Sequence, residues 1–393
     1  MAEYLYRTLE AYLKHYEKEK ERAQVDPYEE MLDLLSAPYN DLRNYDEFLA
    51  GLKEVLTPEE AEVWRFYPDY TIRVDAKSPR EICGALRPEL QPRVEELSRS
   101  LAEKKFLQRK ETPAGEPGYI RTYFFHMIIG RYHHPDDTLL TKAAEHWWYD
   151  IVERGDSAML RGGQEEMRVL PHEGALTGDS RHGKVPVHLD IPDTRTLLPM
   201  DSAEEILKGC RRFAVTKCIC RTLKDRDHSR PCDFPVDDVC IALDQMADNT
   251  IAMGIAREIS REETLQIIRR CRDLGMVQTI SNAVHPLAIC NCCKCCCACL
   301  RMMERYEDML CVPSRYAAEA AHPESCIACG KCAKCCPMDA VVIAKDGGTY
   351  VKAQQCIGCG VCVSQCPKAV LKLVKRPGAP ERPERDNIER IYR

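Results

Sequence analysis

Cysteine is the residue through which this chain can do chemistry. Between Cys326 and Pro367 the cysteines fall at Cys326, Cys329, Cys332 and Cys336-Pro337, and again at Cys356, Cys359, Cys362 and Cys366-Pro367. A shift of 30 residues carries every member of the first set onto its counterpart in the second. The spacing C-x2-C-x2-C-x3-C-P suits a [4Fe-4S] cubane, in which each iron has one open coordination position. A tight loop aims three thiolates at three corners, and the fourth must come from elsewhere. Gly330 and Gly360 follow the second cysteine of each run, where a residue without Cβ lets the loop take positive φ and turn N–H groups toward sulfur. Pro337 and Pro367 fix φ just beyond the last cysteine of each run and stop a helix from continuing. Ile327 and Ile357 are expected to shield the cubes from water.

The doubled run resembles the bacterial-type dicluster ferredoxins. That resemblance implies a crossed ligation, in which the Cys-Pro cysteine of each motif serves the other cluster. One cluster would take Cys326, Cys329, Cys332 and Cys366, the other Cys356, Cys359, Cys362 and Cys336. Under the same 30-residue shift Cys335 lands on Gln365, so it is read as an extra thiol and not as a fifth ligand. Between the halves, Val341 to Ile343, Asp346-Gly347-Gly348 and Thr349 to Val351 predict a short hairpin.

Upstream lies a second concentration of thiols. Cys218, Cys220, Cys232 and Cys240, with Pro231 and Pro235 shaping the loop between them, are enough for a tetrahedral zinc or another cubane. A chain that already receives iron–sulfur clusters favours the cubane, and a metal-free set is the remaining reading. From Cys290 to Cys299 there are seven thiols in ten residues. Neighbouring side chains diverge, so a subset with three-residue stepping, Cys290, Cys293 and Cys296, is the ligand candidate. The others are left for sharing with the earlier set, for a less usual cluster, or for redox reactivity. Cys83, Cys210 and Cys271 sit in predicted helices and are assigned to packing. Cys311 is isolated. His133, His134 and His146 lack an accompanying ligand spacing and are read as satisfied or exposed.

The elements that must position these residues imply an α+β protein. A mainly helical N-terminal part (1–55) begins with helices over Tyr4 to Gln24 and from Asp26-Pro27 onward. Residues 56–153 have the order of a winged-helix-like module: a capping box at Thr57 and Glu60, a helix opened by Ser78-Pro79, a third opened by Pro92, then a hairpin around Pro113-Ala114-Gly115. Its third helix carries Glu95, Glu96 and Glu103 beside Arg93, Arg99, Lys104 and Lys105, less basic than a DNA-reading helix. A connector is predicted over 154–200 and a cysteine-rich α/β domain with a further metal or Fe–S site over 201–315. In that domain Ser202 or Asp201 caps one helix, and Ser260 with Glu263 caps another. The dicluster ferredoxin domain follows at 316–375, and a polar tail at 376–393.

With 393 residues the chain has room for two or three domains. The 24 cysteines stand in metal-type spacings in a long chain, which points to a reducing, cytoplasmic setting and not to a disulfide scaffold. No stretch approaches the roughly 18–20 apolar residues of a membrane span. A formal net charge of −6 argues against a nonspecific grip on nucleic acid. Redox proteins are the expected partners, no specific nucleic-acid binding is expected, and an oligomer is allowed.

The winged-helix-like region, Cys218-Ile219-Cys220-Arg221, Cys290-Asn291-Cys292-Cys293 and the C-terminal dicluster together resemble a loosely described group of anaerobe 4Fe-4S proteins, over roughly residues 56–373. The ferredoxin part of the resemblance implies two [4Fe-4S] clusters, to which the spacing of the central thiols adds a third Fe–S cluster or zinc. The expected function is electron transfer, relaying single electrons through the C-terminal clusters to or from a central cysteine-rich site, as a component of an oxidoreductase system. The alternatives are an Fe–S oxidoreductase with substrate at the central site, and a redox-responsive winged-helix regulator.

Overall fold

The computed structural model describes residues 26–36, 44–68, 75–122, 127, 130, 138–154, 167–177, 179–180, 183–184, 201–305, 311–344 and 347–379. The helix expected over Tyr4 to Gln24, His133 and His134, and most of the polar tail lie outside them. Helices and strands are mixed, as the α+β reading requires. The chain divides into two compact units, residues 1–162 with 388–393 and residues 163–387.

The first unit contains helices α1 (Pro27–Ser36), α2 (Tyr45–Val55), α3 (Pro58–Trp64), α4 (Pro79–Cys83), α5 (Val94–Glu103) and α6 (Leu139–Arg154), and strands β1 (Leu107–Glu111) and β2 (Pro117–Arg121). Capping boxes start α3 at Thr57 and α4 at Ser78, in each case with the glutamate three residues on returning to the cap backbone. β1 and β2 form an antiparallel hairpin. Phe48, Leu52, Trp64, Tyr67, Leu101 and Phe106 fill the core. Glu60 has a second role there: its buried carboxylate accepts from Lys104 Nζ at 2.7 Å and from Ser100 Oγ at 2.5 Å, tying α3 to α5. His146 is exposed and pairs with Glu47 at 2.8 Å.

The second unit is built on a seven-stranded mixed sheet. Its strands are β3 (Met167–Leu170), β6 (Phe213–Thr216), β7 (Cys240–Leu243), β8 (Arg257–Ile259), β9 (Val277–Ser281), β10 (Ala288–Cys292) and β11 (Cys311–Val312), in the order β11-β3-β9-β10-β7-β6-β8. Met167–Leu170 lies in the stretch read as a connector, yet it pairs antiparallel with β9 and parallel with β11. Val169 and Leu170 are fully buried, one on each face of the sheet. One face carries Val215, Ile241, Ile280 and Ile289 against α8 (Ala203–Lys208) and α11 (Arg261–Asp273). Ser202 caps α8 and Ser260 caps α11, each accepting from the amide three residues on. Cys271 is buried on the inner stripe of α11, as its packing assignment requires.

Because side chains alternate along a strand, the opposite face carries Val169, Val277 and Cys292, covered by α12 (Ala298–Arg305) and by the C-terminal segment. Ala214 and Ala242 also point to that side and are small enough to admit α10 (Asp244–Ala252). α9 (Ile219–Arg226) follows β6. Two short elements, α7 (Glu173–Thr177) and the β4–β5 pair (Asp179–Ser180, Gly183–Lys184), follow β3. The C-terminal segment pairs β12 (Tyr316–Ala320) with β15 (Leu371–Lys375), and β13 (Val341–Ile343) with β14 (Thr349–Val351) as the expected hairpin. Between these lie α13 (Lys331–Cys335) and α14 (Val361–Ser364). Among the described residues no helix is long and apolar enough to cross a membrane.

Candidate metal centre

Two cavities lie between the halves of the C-terminal segment. The first is lined by Cys326, Cys329, Cys332 and Cys366. The second is lined by Cys336, Cys356, Cys359 and Cys362. Each cavity thus gathers three cysteines of one run and the Cys-Pro cysteine of the other. Cys335 lines neither; its thiol donates to the Cys332 carbonyl at 3.4 Å, and burial pushes it up to about 12.

The backbone of the loops repeats with the sequence. Gly330 and Gly360 have φ of 70° and 77°, Ala328 and Gly358 have 51° and 67°, and Asp339 and Ala369 have 49° and 50°. This left-handed geometry turns amides inward: Ala328 N donates to Cys326 Sγ at 3.4 Å, Ala340 N to Cys336 Sγ at 3.2 Å and Val370 N to Cys366 Sγ at 3.4 Å. Ala318 N adds a bond to Cys356 Sγ at 3.3 Å. Inward-facing donors around four thiols suit an anionic cluster, whose burial is unfavourable without them.

Residues 320–373 match the family model of a 4Fe-4S dicluster domain. The match and the two four-cysteine cavities mean two [4Fe-4S] clusters and iron–sulfur electron transfer in general. No curated protein and no solved structure matches the chain.

The two sites of the dicluster domain differ in depth. Ile357, lining the second, is 5% exposed, whereas Ile327, lining the first, is 58% exposed. Cys329 is exposed too, and Tyr350 and Val342 on the neighbouring hairpin are exposed large hydrophobics. Ile357, Cys359 and Val361 face inward and share one apolar cluster with Cys292, Cys297 and Cys311 of the sheet unit. His172 clamps this junction. Its amide donates to the Cys359 carbonyl at 2.9 Å, and its ring meets Ser364 Oγ at 3.2 Å and the Met276 carbonyl at 2.9 Å. Burial drives its pKa down to about 4, which keeps the ring neutral.

Of the central candidates, the structure does not bring Cys218, Cys220, Cys232 and Cys240 into one group. Cys240 lies opposite Cys290 across the β7–β10 ladder, and the neighbouring Cys240 thiol raises the pKa of Cys290. Cys218 and Cys220, at the start of α9, interact with each other, and Cys220 also reaches Cys297. Cys297 continues to Cys292 and Cys299, and Cys299 to Cys311. These residues form a belt of partly to fully buried thiols; Cys290, Cys292, Cys297, Cys299 and Cys311 lie on the face of the sheet that meets the dicluster domain, and Cys218 packs against the cluster on the other face. Burial and mutual repulsion hold most of them in the thiol form in the metal-free chain; Cys292, lowered by its bond to Cys297, is nevertheless pushed up to about 12.

Cys232 belongs instead with Cys293, Cys295 and Cys296, whose sulfurs all lie within 4.8 Å of one another. Arg221 stands beside this group, wholly buried, with Nη1 donating to Cys293 Sγ at 3.5 Å and Nη2 to the Asn291 carbonyl at 3.1 Å. A bond from Cys296, with further help from Arg221, pulls Cys293 down to about 4, while Cys296 is pushed up. Sequence reasoning left the roles of Cys292, Cys295, Cys297 and Cys299 open and read Cys311 as isolated. For Cys292 a signal existed: at i+2 from Cys290 it shares that residue's face of a strand.

Proposed function

We propose that the protein is a multi-centre electron-transfer component, relaying single electrons between a redox partner at its surface and a redox site in the central thiol belt. The observation that carries this reading is the apolar cluster that Ile357, Cys359 and Val361 of the deeper dicluster site share with Cys292, Cys297 and Cys311. A [4Fe-4S] cluster held by thiolates supplies a one-electron couple whose potential depends on hydrogen bonds to sulfur and on solvent exposure. The chain supplies both, with four amides aimed at sulfur and one shallow and one deep site. The exposed Ile327, Cys329 and Tyr350 make the shallow site the entry point for a partner, and the deep site the link inward. The ligand sets are those of the two cavities, with the Cys-Pro cysteines crossed. Cys218, Cys220, Cys240, Cys290, Cys292, Cys297 and Cys299 are the pool from which a third Fe–S cluster draws its ligands.

Helices α3 to α5 with the β1–β2 hairpin follow the order of a winged helix. We assign this module a structural or dimerising role, because Glu95, Glu96 and Glu103 outnumber Arg99, the one basic residue of α5. The test is anaerobic iron and acid-labile sulfide analysis with EPR of the reduced full-length protein. More than about eight irons per chain, with the excess lost in a Cys220→Ala, Cys297→Ala double variant that keeps both dicluster signals, supports the reading. Eight irons in the wild type and no third redox centre refute it.

A further inference from the structure

We propose that Cys232, Cys293, Cys295 and Cys296 bind a single Zn²⁺ as a closed tetrathiolate site, distinct in kind from the Fe–S sites of this chain. Sulfurs placed tetrahedrally about 2.3 Å from one zinc ion are about 3.8 Å apart. The observed separations are 3.7 Å for Cys232–Cys296, 3.7 Å for Cys295–Cys296 and 4.0 Å for Cys232–Cys293. A cubane spreads its four thiolates over four irons, which holds them further apart. Among the described residues this is the one group of potential ligands gathered so tightly, and neither four-cysteine set of the dicluster domain is drawn together to this degree.

The local backbone makes that convergence possible. Neighbouring cysteines diverge on a strand or an extended loop, but β10 ends at Cys292 and a turn follows, closed by Cys297 N donating to the Cys293 carbonyl at 3.1 Å. The turn folds Cys295 and Cys296 back over Cys293. The fourth thiol arrives on the irregular loop between α9 and β7, where Arg230 holds the carbonyls of Cys232 and Phe234 at 2.8 and 3.0 Å. Residues 229–236 of that loop belong to no strand or helix, so an ion joining it to the turn acts as a staple, the usual role of a zinc closed by four protein ligands.

Arg221 is an independent observation pointing to the same site. Its side chain is 0% exposed, and Nε has no hydrogen-bond partner. A buried guanidinium needs an anion nearby. Its Nη1 donates to Cys293 Sγ at 3.5 Å, which sets the guanidinium against the four-thiol group. Four thiolates on one Zn²⁺ carry a net charge of −2, and Arg221 offsets part of it through its bond to Cys293.

This inference does not depend on the thiol belt carrying a redox cluster, and its test is separate. Zinc and iron are measured together in anaerobically purified full-length protein, with zinc K-edge EXAFS on the same sample. The expected result is about one zinc per chain with four sulfur neighbours at about 2.3 Å. A Cys232→Ser, Cys295→Ser variant should lose that zinc while keeping its iron, sulfide and EPR signals. Wild-type protein without stoichiometric zinc, zinc with nitrogen or oxygen neighbours, or a variant that loses about four irons together with sulfide would each overturn the proposal. Because EXAFS is read on the wild type, a variant that fails to fold leaves the decision with that measurement.

Discussion

Gly358→Ala should damage the deeper dicluster site and leave the shallow one intact. Gly358 has φ of 67°, and a Cβ built there overlaps the Tyr316 carbonyl and Ser314 Oγ. The left-handed backbone alone costs an alanine about 1–2 kcal/mol. A methyl group forced against a carbonyl in a packed site adds about 1–3 kcal/mol, and the 2.8 Å bond from Ser314 Oγ to the Gly358 carbonyl is worth about 1 kcal/mol if the loop moves away. Together these predict a penalty of about 3–6 kcal/mol, or at least a hundredfold weaker retention of the cluster at about 1.4 kcal/mol per tenfold. The repeat contains its own control. Ala328 occupies the equivalent position with φ of 51°, so the first loop already carries the alanine. Ala328→Gly should change stability by less than about 1 kcal/mol, relief of strain being offset by chain entropy. The assay is anaerobic chelator challenge, following iron release and the EPR of each cluster. Equal iron retention in Gly358→Ala and wild type, or equal damage to both clusters, would refute the steric argument.

Cys336→Ala should remove the signal of the cluster held by Cys356, Cys359 and Cys362 while the cluster nearer in sequence persists; EPR showing the reverse would sink the crossed ligation. Cys335→Ser should retain both clusters, since the thiol lines neither cavity, and a loss of about four irons per chain would contradict this. In the first unit, Glu60→Ala removes both a capping-box partner and a buried ion pair with the partly exposed Lys104. The expected destabilisation is about 2–3 kcal/mol in urea unfolding, with iron content unchanged. A change below about 0.5 kcal/mol would show that the pair contributes little.

What the sequence determines by itself is whatever depends on short-range spacing. The dicluster runs are legible because three ligands of each cubane come from one tight loop, and the internal repeat aligns the rest. The caps at Thr57, Ser78, Ser202 and Ser260 are legible because a cap and its partner stand three residues apart. The grouping of the central cysteines was decided by tertiary structure. Cys240 meets Cys290 only because β7 and β10 pair in that register, and Cys232 leaves its sequence neighbours because an irregular loop carries it to a turn beyond β10. β3 was hidden for a related reason: four residues in a polar stretch have too little pattern to announce a strand, and the sheet around them makes it one. The two isoleucines after the first cysteine of each run look equivalent in sequence, yet one is exposed and the other buried. The difference arises because only the second loop has the thiol face of the sheet packed against it, and local spacing contains no information about what a loop is packed against.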